Sequence, residues 1–345
     1  MFSAIFGSVE LGIIYAIMAL GVYLSFRILD FPDLTVDGSF VTGAAMAATL
    51  LTLGYSPLLA TGASIIVGFI AGTITGVLHT KGKINPLLSG ILMMTALYSI
   101  NLRIMGTTSE AVGRPNIPLL NVDTIFTPVE QWASNLGINT FFNNIFSSMG
   151  VEILPTDYGI LFIMIVVTLA VKVVTDLFLK TEIGLAIRAT GDNQRMIRSF
   201  SGNTDSLIII GLGISNAFVA FSGALVAQYQ GSADVGMGVG MIVTGLASVI
   251  IGEAIFGSKS IVRTTFAVIG GAVIYRIVLG LALQLKILDA SDMKLITAAI
   301  VILALVLPKI IDSQKEKRRK TKRHQELMAK LQVEEGDGVA TSKGN

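Results

Sequence analysis

Apolar stretches of about twenty residues, each long enough to cross roughly 30 Å of hydrocarbon, recur along the whole chain. They run near 3–26, 35–53, 57–79, 86–105, 158–179, 206–229, 237–256, 264–285 and 293–311. Backbone in lipid must satisfy its own N–H and C=O groups, so stretches of this length fold as helices. The sequence therefore predicts an all-α fold, a polytopic transmembrane bundle of about nine spans. Residues 1–311 form its membrane domain and 312–345 a basic, disordered tail. The first stretch has no basic leader and no small-residue cleavage site, and reads as a retained helix.

Composition then excludes whole classes of chemistry. Only 14% of the 345 residues are charged, against about 25% in a soluble domain. Cysteine is absent, which removes disulfide scaffolds, thiolate metal sites and cysteine nucleophiles. His79 and His324 are the two histidines, too few for a histidine-built zinc site. No H-E-x-x-H and no G-x-x-x-x-G-K-[ST] occurs, so an intramembrane enzyme lacks its constellation and the chain has no ATP site of its own. No cofactor is expected here. The 36 glycines lack a G-X-Y period and point to close helix packing, with Gly68, Gly72 and Gly76 four apart in the third span.

Lysine and arginine near the span ends set the orientation. Lys81, Lys83, Lys180, Arg188, Arg195, Arg198, Lys259, Arg263 and the run 315–323 fall on one side of nine alternating spans. The other side keeps Arg103, Arg114, Lys286 and Lys294. The N-terminus is therefore expected outside and the C-terminus inside. Residues 106–157 become an outer loop and 180–205 an inner one. Residues 309–345 hold ten Lys and Arg against six Asp and Glu, the remainder 15 against 17. A basic tail beside the last span suits anionic lipid, and no folded basic domain suggests nucleic acid.

Polar groups within the spans are costly and mark cavities or packed pairs. In R-I-L-D-F-P-D-L-T-V-D-G-S at 27–39, Pro32 and Gly38 predict broken backbone between spans one and two. Asp33, Thr35, Asp37 and Ser39 become substrate-pathway candidates, since a half-helix N-terminus facing a cavity is a common site. The alternative is a turn in which Asp33 or Thr35 caps span two and Asp37 favours its dipole. A second Gly-interrupted segment at 231–240 carries Asp234 and leads into V-T-G-L-A, as the first leads into V-T-G-A-A. Asn85, Asn101 and Asn216 complete the pathway candidates. Glu253 and Arg276 are gating or packing candidates, Glu253 lying towards Lys259 and Arg276 requiring a counter-charge.

The inner loop carries a resemblance. G-L-A-I-R-A at 184–189, G-N-T-D at 202–205 and N-A-F-V-A-F-S-G-A-L at 216–225 resemble ABC importer permeases of the branched-chain amino acid class. I-N-P-L-L-S-G-I-L-M-M-T-A-L-Y-S-I-N-L-R-I-M-G at 84–106 and G-L-A-S-V-I-I-G-E-A-I-F-G at 245–257 resemble a subgroup labelled tryptophan/tyrosine permeases. D-L-T-V-D-G-S also resembles the D-L-S-V-G-S of sugar permeases, with Asp37 as an extra residue. The resemblance implies a homodimeric permease of the bacterial cytoplasmic membrane, importing a small polar solute by alternating access. The solute would be an amino acid, aromatic first and branched-chain second. ATP and Mg would be bound by separate cytoplasmic ATPase subunits, and an extracytoplasmic binding protein or lipoprotein would deliver substrate. The coupling helix would fall on Gly184, Ala186, Arg188, Ala189, Asp192 and Arg195. An amphipathic helix lying on lipid is the other reading of that loop. Rival functions are an ion-coupled secondary transporter using the Asp cluster, or an ABC importer of nucleosides or sugars.

Overall fold

A computed structural model describes residues 2–107, 115–120, 122–148 and 157–284, together with residues 295, 298, 299, 302 and 306. Most of the span expected at 293–311, together with the tail, Arg114, Lys286 and Lys294, lies outside the described residues. The chain divides into two units, Met1–Ala298 and Ala299–Asn345, and the first carries every element below.

Helix α1 (Phe2–Val22) runs into a π-helical turn, Tyr23–Ile28, which breaks at Asp30 in the left-handed region (φ 51°). After α2 (Thr35–Thr52) come α3 (Pro57–Thr80) and α4 (Pro86–Gly106). A connecting region holds β1 (Asn116–Pro118), α5 (Thr127–Asn135) and α6 (Ile138–Ser148). Then follow α7 (Gly159–Phe178), α8 (Glu182–Asp192), α9 (Gln194–Ser199) and α10 (Thr204–Gln230). Strand β2 (Ser232–Asp234) and a 3-10 turn (Val235–Gly238) lead to α11 (Met241–Phe256) and α12 (Ile261–Gln284). Local chemistry fixes many ends. Pro57 and Pro86 open α3 and α4, where a missing N–H costs nothing. Asn85, Thr181, Asn193 and Asn203 cap α4, α8, α9 and α10 with side-chain oxygens. Gly231 closes α10 in the left-handed conformation.

Among the described residues seven segments, not nine, are long and apolar enough to cross a membrane. They are Ile5–Ile28, α3, α4, α7, α10, Val235–Phe256 and α12. The stretch expected at 35–53 is helical but stands apart from them. Helix α2 has 18 residues, includes Asp37, Ser39 and four threonines, and is enclosed over most of its length. It is an inner element packed on α3, α4 and α10. Helix α10 lies at the centre, against α1, α2 and α3. The glycine stripe of α3 faces it: a Cβ on Gly72 would stand 2.1 Å from the Leu212 carbonyl oxygen, and one on Gly68 2.5 Å from that of Asn216. Only hydrogen fits there, so the backbones approach closely. The outer faces of α3, α4 and α7 leave Leu58, Ile66, Leu92 and Val166 exposed, as helices bordering hydrocarbon do.

Strand β1 pairs antiparallel with β2, Ile117 opposite Ala233. This ribbon ties the 106–157 region to the break before α11.

Candidate substrate pathway and coupling loop

Two of the three acids of the 27–39 segment, Asp33 and Asp37, have separate duties. Asp33 is fully buried; one carboxylate oxygen accepts from the Thr35 backbone N–H (2.9 Å) and the other from the Asn216 amide (2.7 Å). The Thr35 hydroxyl shares a hydrogen bond with that of Thr75 (2.8 Å). One polar knot therefore joins the α1–α2 break to α3 and α10. Asn216 Nδ2 also donates to the Leu212 carbonyl (3.0 Å), so this pathway candidate is fastened into helix packing.

Asp37 reaches across to another helix. Its carboxylate accepts from the N–H of Gly240 (3.0 Å) and of Ile242 (2.7 Å). Gly240 stands at φ 85°, a conformation glycine adopts without strain, and offers α11 no side-chain cap. Asp37 therefore supplies the cap from α2, placing negative charge on the positive end of α11. Asp37 thus stands in the first turn of α2 and at the same time caps the half-helix after the second break.

Beside this cap lies a cavity of about 310 Å³, bounded by Asp37, Met94, Tyr98, Asn101, Val235 and Val239 among others. Its walls are mainly apolar. Asn101 is buried and donates to the Gly38 carbonyl (3.3 Å), while its Oδ1 has no protein donor. A small cavity with apolar walls, an aromatic ring, a carboxylate and an open amide acceptor suits an apolar or aromatic side chain bearing an ammonium group.

Other pathway candidates do not converge there. Asn85 is exposed and caps α4 through the Leu87 N–H (3.0 Å). Asp234 accepts from the Gly236 N–H (2.7 Å) and shapes the turn before α11, as Asp33 does before α2. Ser39 is buried in α2 with its hydroxyl unpartnered. Glu253 pairs with Arg27 at 3.1 Å, rather than with Lys259 or Arg276. Arg276 meets no carboxylate among the described residues: its guanidinium lies 3.7 Å from the centroid of the Tyr15 ring. A cation over an aromatic face takes the place of the expected counter-charge. Sequence reasoning missed a buried ion pair, Lys172 with Asp176, whose second oxygen accepts from the Thr265 hydroxyl (2.7 Å). An i, i+4 Lys–Asp pair in an otherwise apolar run was its signal.

The 180–205 loop folds as α8 and α9. The Thr181 hydroxyl accepts from the Gly184 N–H (3.1 Å), and Asn193 from the Met196 N–H (3.1 Å). Gly184, Ile187 and Thr190 are buried, and Ile187 packs with Leu29, Phe31, Ile208 and Leu212. Gly191 abuts the Ile28 carbonyl, so α8 rests on the same break that holds Asp33. Ile183 (50% exposed) and Leu185 (50%), on either side of Gly184, are exposed, as are Met196 (44%) in α9 and Phe200 (76%) at its end. Ala186, Arg188 and Ala189 are half-buried, whereas Asp192 and Arg195 are exposed. Arg198 is held by the Thr204 hydroxyl (2.8 Å) and Asp205 (3.2 Å).

Residues 4–306 match the family model of the branched-chain amino acid transport system permease component. The chain belongs to this permease family. A tyrosine transport system permease protein of Clostridioides difficile is 42% identical over 300 residues, covering 87% of this chain and 90% of the relative. An uncharacterized Rickettsia prowazekii protein is 32% identical over 86% of this chain and 95% of its own. The ribose import permease of Haemophilus influenzae is 26% identical over 85% and 80%. No solved structure matches the chain. The permease is thus an ABC-type component of a transport system and a multi-pass protein of the cytoplasmic membrane.

Proposed function

We propose that the permease is the transmembrane subunit of an ATP-driven importer of a small amino acid, aromatic first and branched-chain second. The observation that carries this reading is the arrangement of α8. It buries Gly184, Ile187 and Thr190, rests on the α1–α2 break through Ile187 and Gly191, and leaves Ile183 and Leu185 exposed. That break joins Asp33 to α10, and Asp37 in the following helix caps α11 beside the 310 Å³ cavity. A force applied to α8 by a closing ATPase pair would reach the cavity wall through these hydrogen bonds. Two copies of the permease would pair around the pathway, with an extracytoplasmic binding protein delivering substrate. ATP and Mg belong to the ATPase. The lysine and arginine distribution supports the N-terminus outside and the C-terminus inside, its basic tail against anionic lipid.

The tyrosine permease relative supports an aromatic substrate, and the apolar cavity walls suit one. Asp33 and Asp37 are both committed to protein donors, which counts against ion coupling through these two carboxylates. Competition for uptake of labelled tyrosine tests the substrate class. Tryptophan and phenylalanine should compete strongly and leucine weakly; ribose or a nucleoside competing better would overturn the amino acid reading.

A further inference from the structure

A second, larger cavity of about 850 Å³ lies between the start of α1, helices α5 and α6, and the end of α10. Glu10, Glu130 and Asp157 line it with Tyr229 and Asn139, and no lysine or arginine is among its described lining residues. Two of these carboxylates carry unanswered oxygens. Glu10 is 6% exposed; its Oε2 accepts from the Tyr229 hydroxyl (2.7 Å), and its buried Oε1 meets no protein donor. Asp157 accepts from the Gly159 N–H (2.8 Å) through Oδ1, and its buried Oδ2 likewise meets none. Buried carboxylate oxygens without donors are costly, which favours a ligand that supplies positive charge and N–H groups together. Partial burial and then the nearby Asp157 raise Glu130 above the ordinary carboxyl range, a strain that a cation would relieve.

Among the described residues no three acidic or histidine side chains converge closely enough to hold a metal ion. The room available also exceeds what a bare ion needs. We propose that this recess binds a small organic cation with N–H donors, of the primary-ammonium class, with Glu10 and Asp157 as its acceptors. Such a group has two sources, a free amine or the headgroup of phosphatidylethanolamine. The inference is independent of the import reading and of the cavity beside Asp37.

The test compares ethanolamine with choline, which carries the same charge and skeleton but no N–H. Full-length permease in phosphatidylcholine nanodiscs is titrated with each by calorimetry and by fluorescence of Trp132, the single tryptophan, on α5 with Glu130. Ethanolamine should bind saturably and choline at least tenfold more weakly. Glu10→Gln should weaken ethanolamine binding about tenfold or more, the range for a lost charged hydrogen bond. The exposed Glu130→Gln, which leaves both unanswered oxygens in place, should weaken it less. In discs containing phosphatidylethanolamine, loss of the ethanolamine signal assigns the lipid headgroup, and its persistence assigns a free amine. Equal binding of choline and ethanolamine, no saturable binding of either, or a Glu10→Gln protein that melts like the parent and binds ethanolamine as tightly would overturn the proposal.

Discussion

Asp37 illustrates how one side chain can join two helices that are distant in sequence. Its carboxylate satisfies two backbone N–H groups at the start of α11, a helix whose N-cap residue is glycine. Asp37→Ala should therefore destabilise the permease by about 1–3 kcal/mol, the cost of leaving partly buried donors unpaired. Asp37→Asn, which keeps one acceptor, should lose less; thermal unfolding in detergent measures both, and equal melting of all three proteins would refute the cap. Asp33→Ala should abolish uptake while leaving membrane abundance unchanged, because it unties α2 from Asn216. Normal uptake by that variant would reduce the knot to a passive turn. The importance of both acids was legible in the sequence, since acids are rare in apolar stretches. Their partners were not, because Asn216 and Ile242 stand 183 and 205 residues away and no local spacing encodes such contacts.

At the scale of elements, the span pattern proved the most readable feature. Eight of the nine expected stretches correspond to helices, and the glycines of α3 pack on a neighbouring helix as their four-residue spacing implies. Helix α2 forms where a helix was expected, but Asp37, Ser39 and four threonines leave it less apolar than the seven segments long and apolar enough to cross a membrane. Gly72→Val should cost about 1–3 kcal/mol or more, since the added Cβ meets a backbone oxygen that cannot move alone; an unchanged melting temperature would argue against that close approach. Helix α8 is the other element with a defined expectation. Arg188→Glu should lower recovery of the ATPase with the permease several-fold while insertion stays normal. Full recovery would move the docking face away from α8. The loop's motif was visible as a resemblance, but its contact with the π-helical turn, through Gly191 and Ile28, depends on tertiary packing.

For the whole molecule, two breaks, before α2 and before α11, are bridged by Asp37, and α8 leans on the first of them. The scarcity of charge, 14% of residues, reflects a chain facing hydrocarbon or other helices over most of its surface. Among the described residues, Asp33 and Asp37 accept from helix or side-chain donors, Lys172 pairs with Asp176, and Arg276 lies on an aromatic ring. A tag at residue 345 should be reachable only from the cytoplasm in intact cells, as the basic run at 315–323 requires; labelling from outside would reverse the orientation. The central claim is that this permease converts the closing of a separate ATPase into import of an aromatic amino acid. Labelled tyrosine uptake into proteoliposomes containing the permease, its ATPase and its binding protein tests that claim most directly. Uptake should require ATP and vanish when the ATPase's phosphate-loop lysine is changed to alanine. Uptake that persists without ATP hydrolysis and follows an imposed proton or sodium gradient would contradict it.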